Sequence, residues 1–147
     1  PGAEFGPAKR WPETHYADVA KQKLAEGWAV WIFGGPKDHA VAQDIQTLTN
    51  QRCVDLTGKT SLTEAIDLLS LSRAVVSNDS GLMHIAAALH IPQVVLFGGT
   101  STTTWTPLSD KALIISDKSN VNNISKNKIL EALKKKLKNI EASRFKN

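Results

Sequence analysis

Four segments of the chain combine residue types that bind phosphate or sugar. The densest runs from Val75 to His84, Val75-Val76-Ser77-Asn78-Asp79-Ser80-Gly81-Leu82-Met83-His84. An apolar, β-rich stretch ends at Ser77, a polar turn follows, and a helix begins at once. A helix start exposes unpaired backbone N–H groups and favours anions, so it can hold a phosphate. Gly81 lets a ligand approach the backbone closely. Asp79, at the strand end, suits hydrogen bonds from sugar hydroxyls, and Ser80 and His84, the latter one turn into the helix, can face the same pocket. A plainer use is open to the same residues: Asp79 or Ser80 caps the helix, and His84 packs in the core.

The second segment is Gly2-Ala3-Glu4-Phe5-Gly6-Pro7-Ala8-Lys9-Arg10-Trp11-Pro12. Loop amides beside a cation suit a diphosphate. The Gly-Lys-Ser/Thr ending of a P-loop and the G-x-G-x-x-G fingerprint are both missing, so a surface loop with solvated cations fits equally. The third, Phe33-Gly34-Gly35-Pro36-Lys37-Asp38, ends in a carboxylate that can take two ribose hydroxyls or simply open a helix. The fourth, Phe97-Gly98-Gly99-Thr100-Ser101 through Thr106-Pro107, places small hydroxyl side chains after a strand. No clustered His/Cys metal signature and no G-x-S-x-G nucleophile elbow occur.

The elements that must position these turns alternate along the chain. Helices are expected over Pro12 to Gly27, His39 to Leu48, a stretch capped by Thr60 or Ser61, Gly81 to His90, and Ile124 to Ile140. Glu64, three residues after Ser61, completes a capping box. Strands are expected over Trp28 to Phe33, Cys53 to Leu56, Ala74 to Ser77, Gln93 to Phe97 and Ala112 to Ser116. Strands and helices in this alternation predict an α/β fold, a Rossmann-like parallel sheet with helices on both faces. Ligands bind such sheets outside the carboxyl ends of the strands, where all four segments fall.

With 147 residues, 41% of them hydrophobic and 22% charged, the chain suits one soluble globular domain. We divide it into an α/β body over 1–118 and a basic helix and tail over 119–147. No apolar run approaches the ~20 residues of a membrane span, and no leader pattern is visible. The lone Cys53 excludes an internal disulfide and favours a reducing cytoplasm; it reads as a small core residue. The net charge of +4 is uneven, since eight Lys or Arg residues between Lys126 and Lys146 face only Glu131 and Glu141. With no aromatic residues interleaved, this tail does not read as a nucleic-acid surface. The first residue is Pro1 and the single methionine is Met83, so the sequence reads as a piece of a longer protein.

Two stretches together carry a family resemblance. Pro1 to Pro12, followed by His15-Tyr16-Ala17, and Asn78-Asp79-Ser80-Gly81-Leu82-Met83-His84-Ile85-Ala86-Ala87-Ala88-Leu89 resemble the phosphate-binding and donor-sugar motifs of glycosyltransferase family 9. That family comprises the ADP-heptose:lipopolysaccharide heptosyltransferases, and the likeness is to the heptosyltransferase II branch. Phe97 to Ser101 and Thr106-Pro107-Leu108 resemble the loop that follows, so the likeness covers about Pro1 to Leu108.

The resemblance implies the C-terminal, nucleotide-sugar-binding half of a two-domain GT-B enzyme that moves heptose from ADP-heptose to the lipopolysaccharide inner core. It implies that Lys9 contacts the diphosphate, Asp38 takes the ribose, and Thr60, Ser61 and Leu62 hold the adenine. Asp79, Ser80, Gly81 and His84 would meet the heptose and phosphates. No cofactor or metal is implied, and the catalytic base is a carboxylate of the N-terminal acceptor domain, outside this chain. The sequence after Leu108 departs from the pattern, and the sheet is expected to lack most of a central strand. A lipid acceptor and a lysine-rich helix together suggest a cytoplasmic protein in peripheral contact with an anionic inner membrane. Other GT-B nucleotide-sugar enzymes, an epimerase, or a non-enzymatic nucleotide-binding module fit the same turns.

Overall fold

The structure is a computed structural model that describes residues 11–78, 81–98, 111–117 and 121–145. Helix α1 covers Glu13–Ala25. Pro12 precedes it in an extended conformation, and its carbonyl accepts the amides of His15 and Tyr16. Its end is fixed by Gly27, whose φ of 93° lets Trp28 N–H reach back to Lys23 O at 3.0 Å. Strand β1 (Trp31–Ile32) follows, then a 3-10 turn over Pro36–Asp38 and α2 (His39–Leu48). Next come β2 (Val54–Asp55), α3 (Leu62–Ser70), β3 (Val75–Asn78), α4 (Gly81–Ala88), β4 (Gln93–Gly98) and β5 (Ala112–Asp117). A 3-10 turn at Val121–Asn123 leads into the last helix, α5 (Lys126–Phe145).

Every described ladder is parallel. β1 pairs with β2 in one sheet, Ile32 opposite Asp55, and β3-β4-β5 form a second with β4 in the middle. The expected α/β fold is therefore present, but as two half-sheets, β2-β1 and β3-β4-β5. An apolar slot bordered by Val30 and Ile32 on one side and by Val75 and Val76 on the other separates them. The run Trp28 to Phe33 is predicted as one strand; only Trp31–Ile32 is ladder-paired, because its partner β2 offers two residues, Val54 and Asp55.

Helices cover both faces, and the strand pleat explains how. Val94 and Leu96 of β4 point to the face of α1 and α5, packing with Trp11, Val19, Ile129 and Leu133. Val95 points the other way, against Met83 of α4. A third cluster joins Ala17 and Ala20 of α1 to Val41, Ala42 and Ile45 of α2 over Ile32 and Cys53. Cys53 is thus the core residue expected, and burial raises its thiol pKa above the ordinary value. Ile124, expected to open the last helix, instead sits buried just before it, where its carbonyl accepts the Trp11 indole N–H at 2.9 Å. No described helix is long and apolar enough to cross a membrane.

Candidate functional site

Of the turns singled out in the sequence, Phe33 to Asp38 follows the carboxyl end of β1 and the turn into α4 follows that of β3. After β1 the chain makes a tight Gly34-Gly35-Pro36 turn. Asp38 closes it: its Oδ2 accepts the Gly35 amide at 3.0 Å. A side chain on Gly34 would meet that same oxygen at 2.5 Å, so position 34 has room only for hydrogen. Gly34 also accepts the amide of Gly58, at 2.9 Å, which ties the turn after β1 to the turn after β2. Asp38 thus does what the plainer reading expected. It is also close enough to Tyr16 to act on it: burial, reinforced by the Asp38 carboxylate, raises the Tyr16 phenol above its usual range.

After β2 lies a group that sequence reasoning missed. Asp55 Oδ1 accepts both the amide and the hydroxyl of Thr57, at 2.9 and 2.5 Å. Its Oδ2 lies 3.4 Å from His39 Nδ1, which is also 3.3 Å from Thr57 Oγ1. Gln43 Nε2 meets His39 Nε2 at 3.1 Å. Burial raises the Asp55 carboxyl, but the Thr57 bonds and the charges of His39 and Lys59 outweigh it, so its pKa falls below the ordinary value. The available signal was an aspartate at a strand end and a histidine opening the helix before that strand. With 15 residues between them and no motif, only the fold joins them.

Thr60, Ser61 and Leu62 lie at the start of α3. Ser61, rather than Thr60, caps it: Glu64 N–H donates to Ser61 Oγ at 3.1 Å, and Ser61 N–H to Glu64 Oε1 at 3.0 Å. Leu62 is 67% exposed, an apolar surface beside a polar helix end, which a flat aromatic ring can cover. Gly81 starts α4 with open space around it, as a close-approaching ligand needs. His84 is exposed, which removes the core reading for it. Asp79, Ser80 and Lys9 lie outside the described residues, as does the Thr100–Thr106 loop.

Comparison with known proteins carries these observations further. The glycosyltransferase family 9 (heptosyltransferase) model matches residues 1–135. Over 119 residues the chain is 53% identical to lipooligosaccharide heptosyltransferase 2 of Haemophilus influenzae, covering 78% of this chain and 34% of that protein. It is 50% identical, with the same coverage, to lipopolysaccharide heptosyltransferase 2 of Escherichia coli. The solved structure of the Escherichia coli ADP-heptose lps heptosyltransferase II superposes with a TM-score of 0.88 at 42% identity, over 96% of this chain and 46% of that one. The chain spans about a third of the length of the curated relatives. It belongs to glycosyltransferase family 9, the heptosyltransferases.

Proposed function

We propose that this chain is the donor-binding half of an inverting GT-B glycosyltransferase that moves heptose from ADP-heptose to the lipopolysaccharide inner core. The observation that carries this is its 53% and 50% identity to two heptosyltransferase 2 proteins. The position of Asp38 after β1, of Thr60, Ser61 and Leu62 after β2, and of Gly81 and His84 after β3 supports it, since ligands bind parallel sheets at the carboxyl ends of their strands.

In this reading Lys9 contacts the diphosphate and the free oxygen of Asp38 takes the ribose hydroxyls. Thr60, Ser61 and Leu62 cradle the adenine, which covers the exposed face of Leu62. Asp79, Ser80, Gly81 and His84 meet the heptose and its phosphate. The α4 start supplies backbone N–H groups and the positive end of a helix dipole. In transfer, the acceptor oxygen attacks the anomeric carbon and its proton passes to a carboxylate base of the acceptor domain, outside this chain. The bond to the diphosphate breaks, and ADP leaves with the electron pair. Lys9 and the α4 dipole stabilise the negative charge growing on that leaving group. The donor is a substrate, and this chemistry needs no further cofactor.

Calorimetric titration with ADP, UDP and ADP-heptose tests the reading. ADP and ADP-heptose should bind and UDP should not. The 147-residue chain by itself should bind donor without transferring sugar. Preference for UDP would point to another nucleotide-sugar enzyme, and transfer by this chain alone would overturn the division of labour.

A further inference from the structure

Helix α2 is seated in the core by Val41, Ala42 and Ile45, and β2 by its ladder to β1. The polar group after β2 does something else: it joins two turns at the carboxyl end of the sheet. The Thr57 hydroxyl donates to Asp55 Oδ1, so Thr57 Oγ1 can only accept from His39 Nδ1, 3.3 Å away. That nitrogen therefore carries the ring hydrogen, and it also faces Asp55 Oδ2 at 3.4 Å. In the neutral ring Nε2 is then an acceptor, and it takes the Gln43 side-chain amide at 3.1 Å. Both ring nitrogens are thus fixed, although the His39 side chain is half exposed. Thr57, at the other end of the contact, is buried.

This arrangement bears on Asp38 from both sides. Before Asp38 in the chain, Gly34 O accepts the Gly58 amide at 2.9 Å. A side chain on Gly58 would meet Pro36 Cα at 3.3 Å, and Gly58 adopts a φ of 68°, which suits glycine. Directly after Asp38 comes His39, held against Thr57 and Asp55. The turn after β2 therefore grips the Asp38 turn at both ends, and two residues past Gly58 it reaches Thr60. Asp38 and the start of α3 at Thr60, Ser61 and Leu62 are where the proposed function puts ribose and adenine. A ligand that spans two turns binds best when their separation is set beforehand, because ordering them on binding costs affinity.

We propose that His39, Asp55 and Thr57 are positioning residues for the donor nucleoside: together they hold Asp38 at a fixed separation from the adenine-binding start of α3. The inference rests on the assignment of Asp38 to the ribose. Calorimetric titration of the protein with ADP and with its dideoxy analogue, which lacks both ribose hydroxyls, tests it. The parent should prefer ADP. His39→Ala and Asp55→Ala should each lower that preference by about threefold to tenfold, the worth of one hydrogen bond. His39→Asn, whose amide can donate from near the Nδ1 position, should retain most of it. In an Asp38→Ala background, His39→Ala should leave ADP affinity unchanged, because the residue it orients is gone. If Asp55→Ala fails to fold, the half-exposed His39 still carries the test. A parent with no preference for ADP would overturn the ribose assignment and the positioning role with it. A parent that prefers ADP, beside a His39→Ala variant that prefers it as strongly, would overturn the positioning role alone. So would equal weakening of both ligands, or His39→Asn behaving as His39→Ala, since lost packing and not lost orientation would then be the cause.

Discussion

Asp38 holds its own turn through Gly35 N–H, at 3.0 Å, while the proposed ribose contact needs its other oxygen. Asp38→Ala should therefore weaken ADP and ADP-heptose about equally, whereas Asp79→Ala should weaken ADP-heptose more than ADP. Calorimetry of both ligands against both variants, with folding verified by circular dichroism, checks this; equal losses in all four pairs would contradict the assignments. Lys9→Ala should cost about 1.5–3 kcal/mol of ADP binding if the ammonium bonds to phosphate. Lys9→Arg should recover only part, because a planar fork does not replace a point charge. An unchanged ADP affinity in Lys9→Ala would move the phosphate site elsewhere. Asp55 adds a pH dependence. Its folded pKa is depressed, so its stabilising contribution is fully present above the ordinary carboxylate value, about 3.9. That contribution is lost as pH falls through that value towards the folded one. Urea melts at pH 3 and pH 6 should differ less for Asp55→Asn than for the parent. An unchanged difference would mean that other groups govern the acid response.

Elements show which parts of the fold are local and which are not. The limits of α1 follow from Pro12 and Gly27, and the start of α3 from Ser61 and Glu64, because each device acts within a few residues. All five described strands were visible in the sequence as short β-rich runs. What could not be read locally depends on partners distant in the chain. The ladder at β1 is short because its partner β2 pairs over two residues only. Ile124 is held outside α5 by Trp11, 113 residues away. His39 and Asp55 meet because β2 lies beside β1. The turns after β1 and β3 were legible as a candidate site, but their roles rest on the family, as does the choice of Thr60, Ser61 and Leu62, because a turn that caps a helix and one that binds phosphate use the same residues. Trp11 offers a direct test of the long-range link. Trp11→Phe keeps a ring but removes the donor to the Ile124 carbonyl, and should cost about 1 kcal/mol. Trp11→Ala empties a fully buried site and should cost about 3–5 kcal/mol by urea denaturation. Equal losses in the two variants would assign the whole effect to the hydrogen bond.

At the scale of the molecule, charge is segregated. Helix α5 buries Ile129, Ala132 and Leu133 against the core and leaves Lys126, Lys128, Lys134, Lys135 and Lys138 exposed, with Lys136 half-buried. Among these, Lys126 is tied to Asp18 at 3.0 Å. Lys128, Lys134, Lys135 and Lys138 fall on the side opposite the buried stripe, as helical spacing requires, and Glu131 is the acid among them. The buried stripe accounts for how the helix docks; it does not require lysines outside. The proposed lipid-borne acceptor would give them a use, because anionic headgroups attract each Lys or Arg near the surface by about 1 kcal/mol. The protein should therefore bind anionic liposomes and release as salt rises, since screening acts over ~10 Å at 0.1 M. Neutral liposomes should not hold it. Replacing Lys134, Lys135, Lys136 and Lys138 with glutamine should abolish sedimentation with anionic vesicles while ADP affinity stays unchanged, because these side chains are remote in sequence from every proposed donor contact. If the quadruple variant still sediments, the lysines serve only to keep an outer helix face solvated, and contact with the membrane must come from another surface.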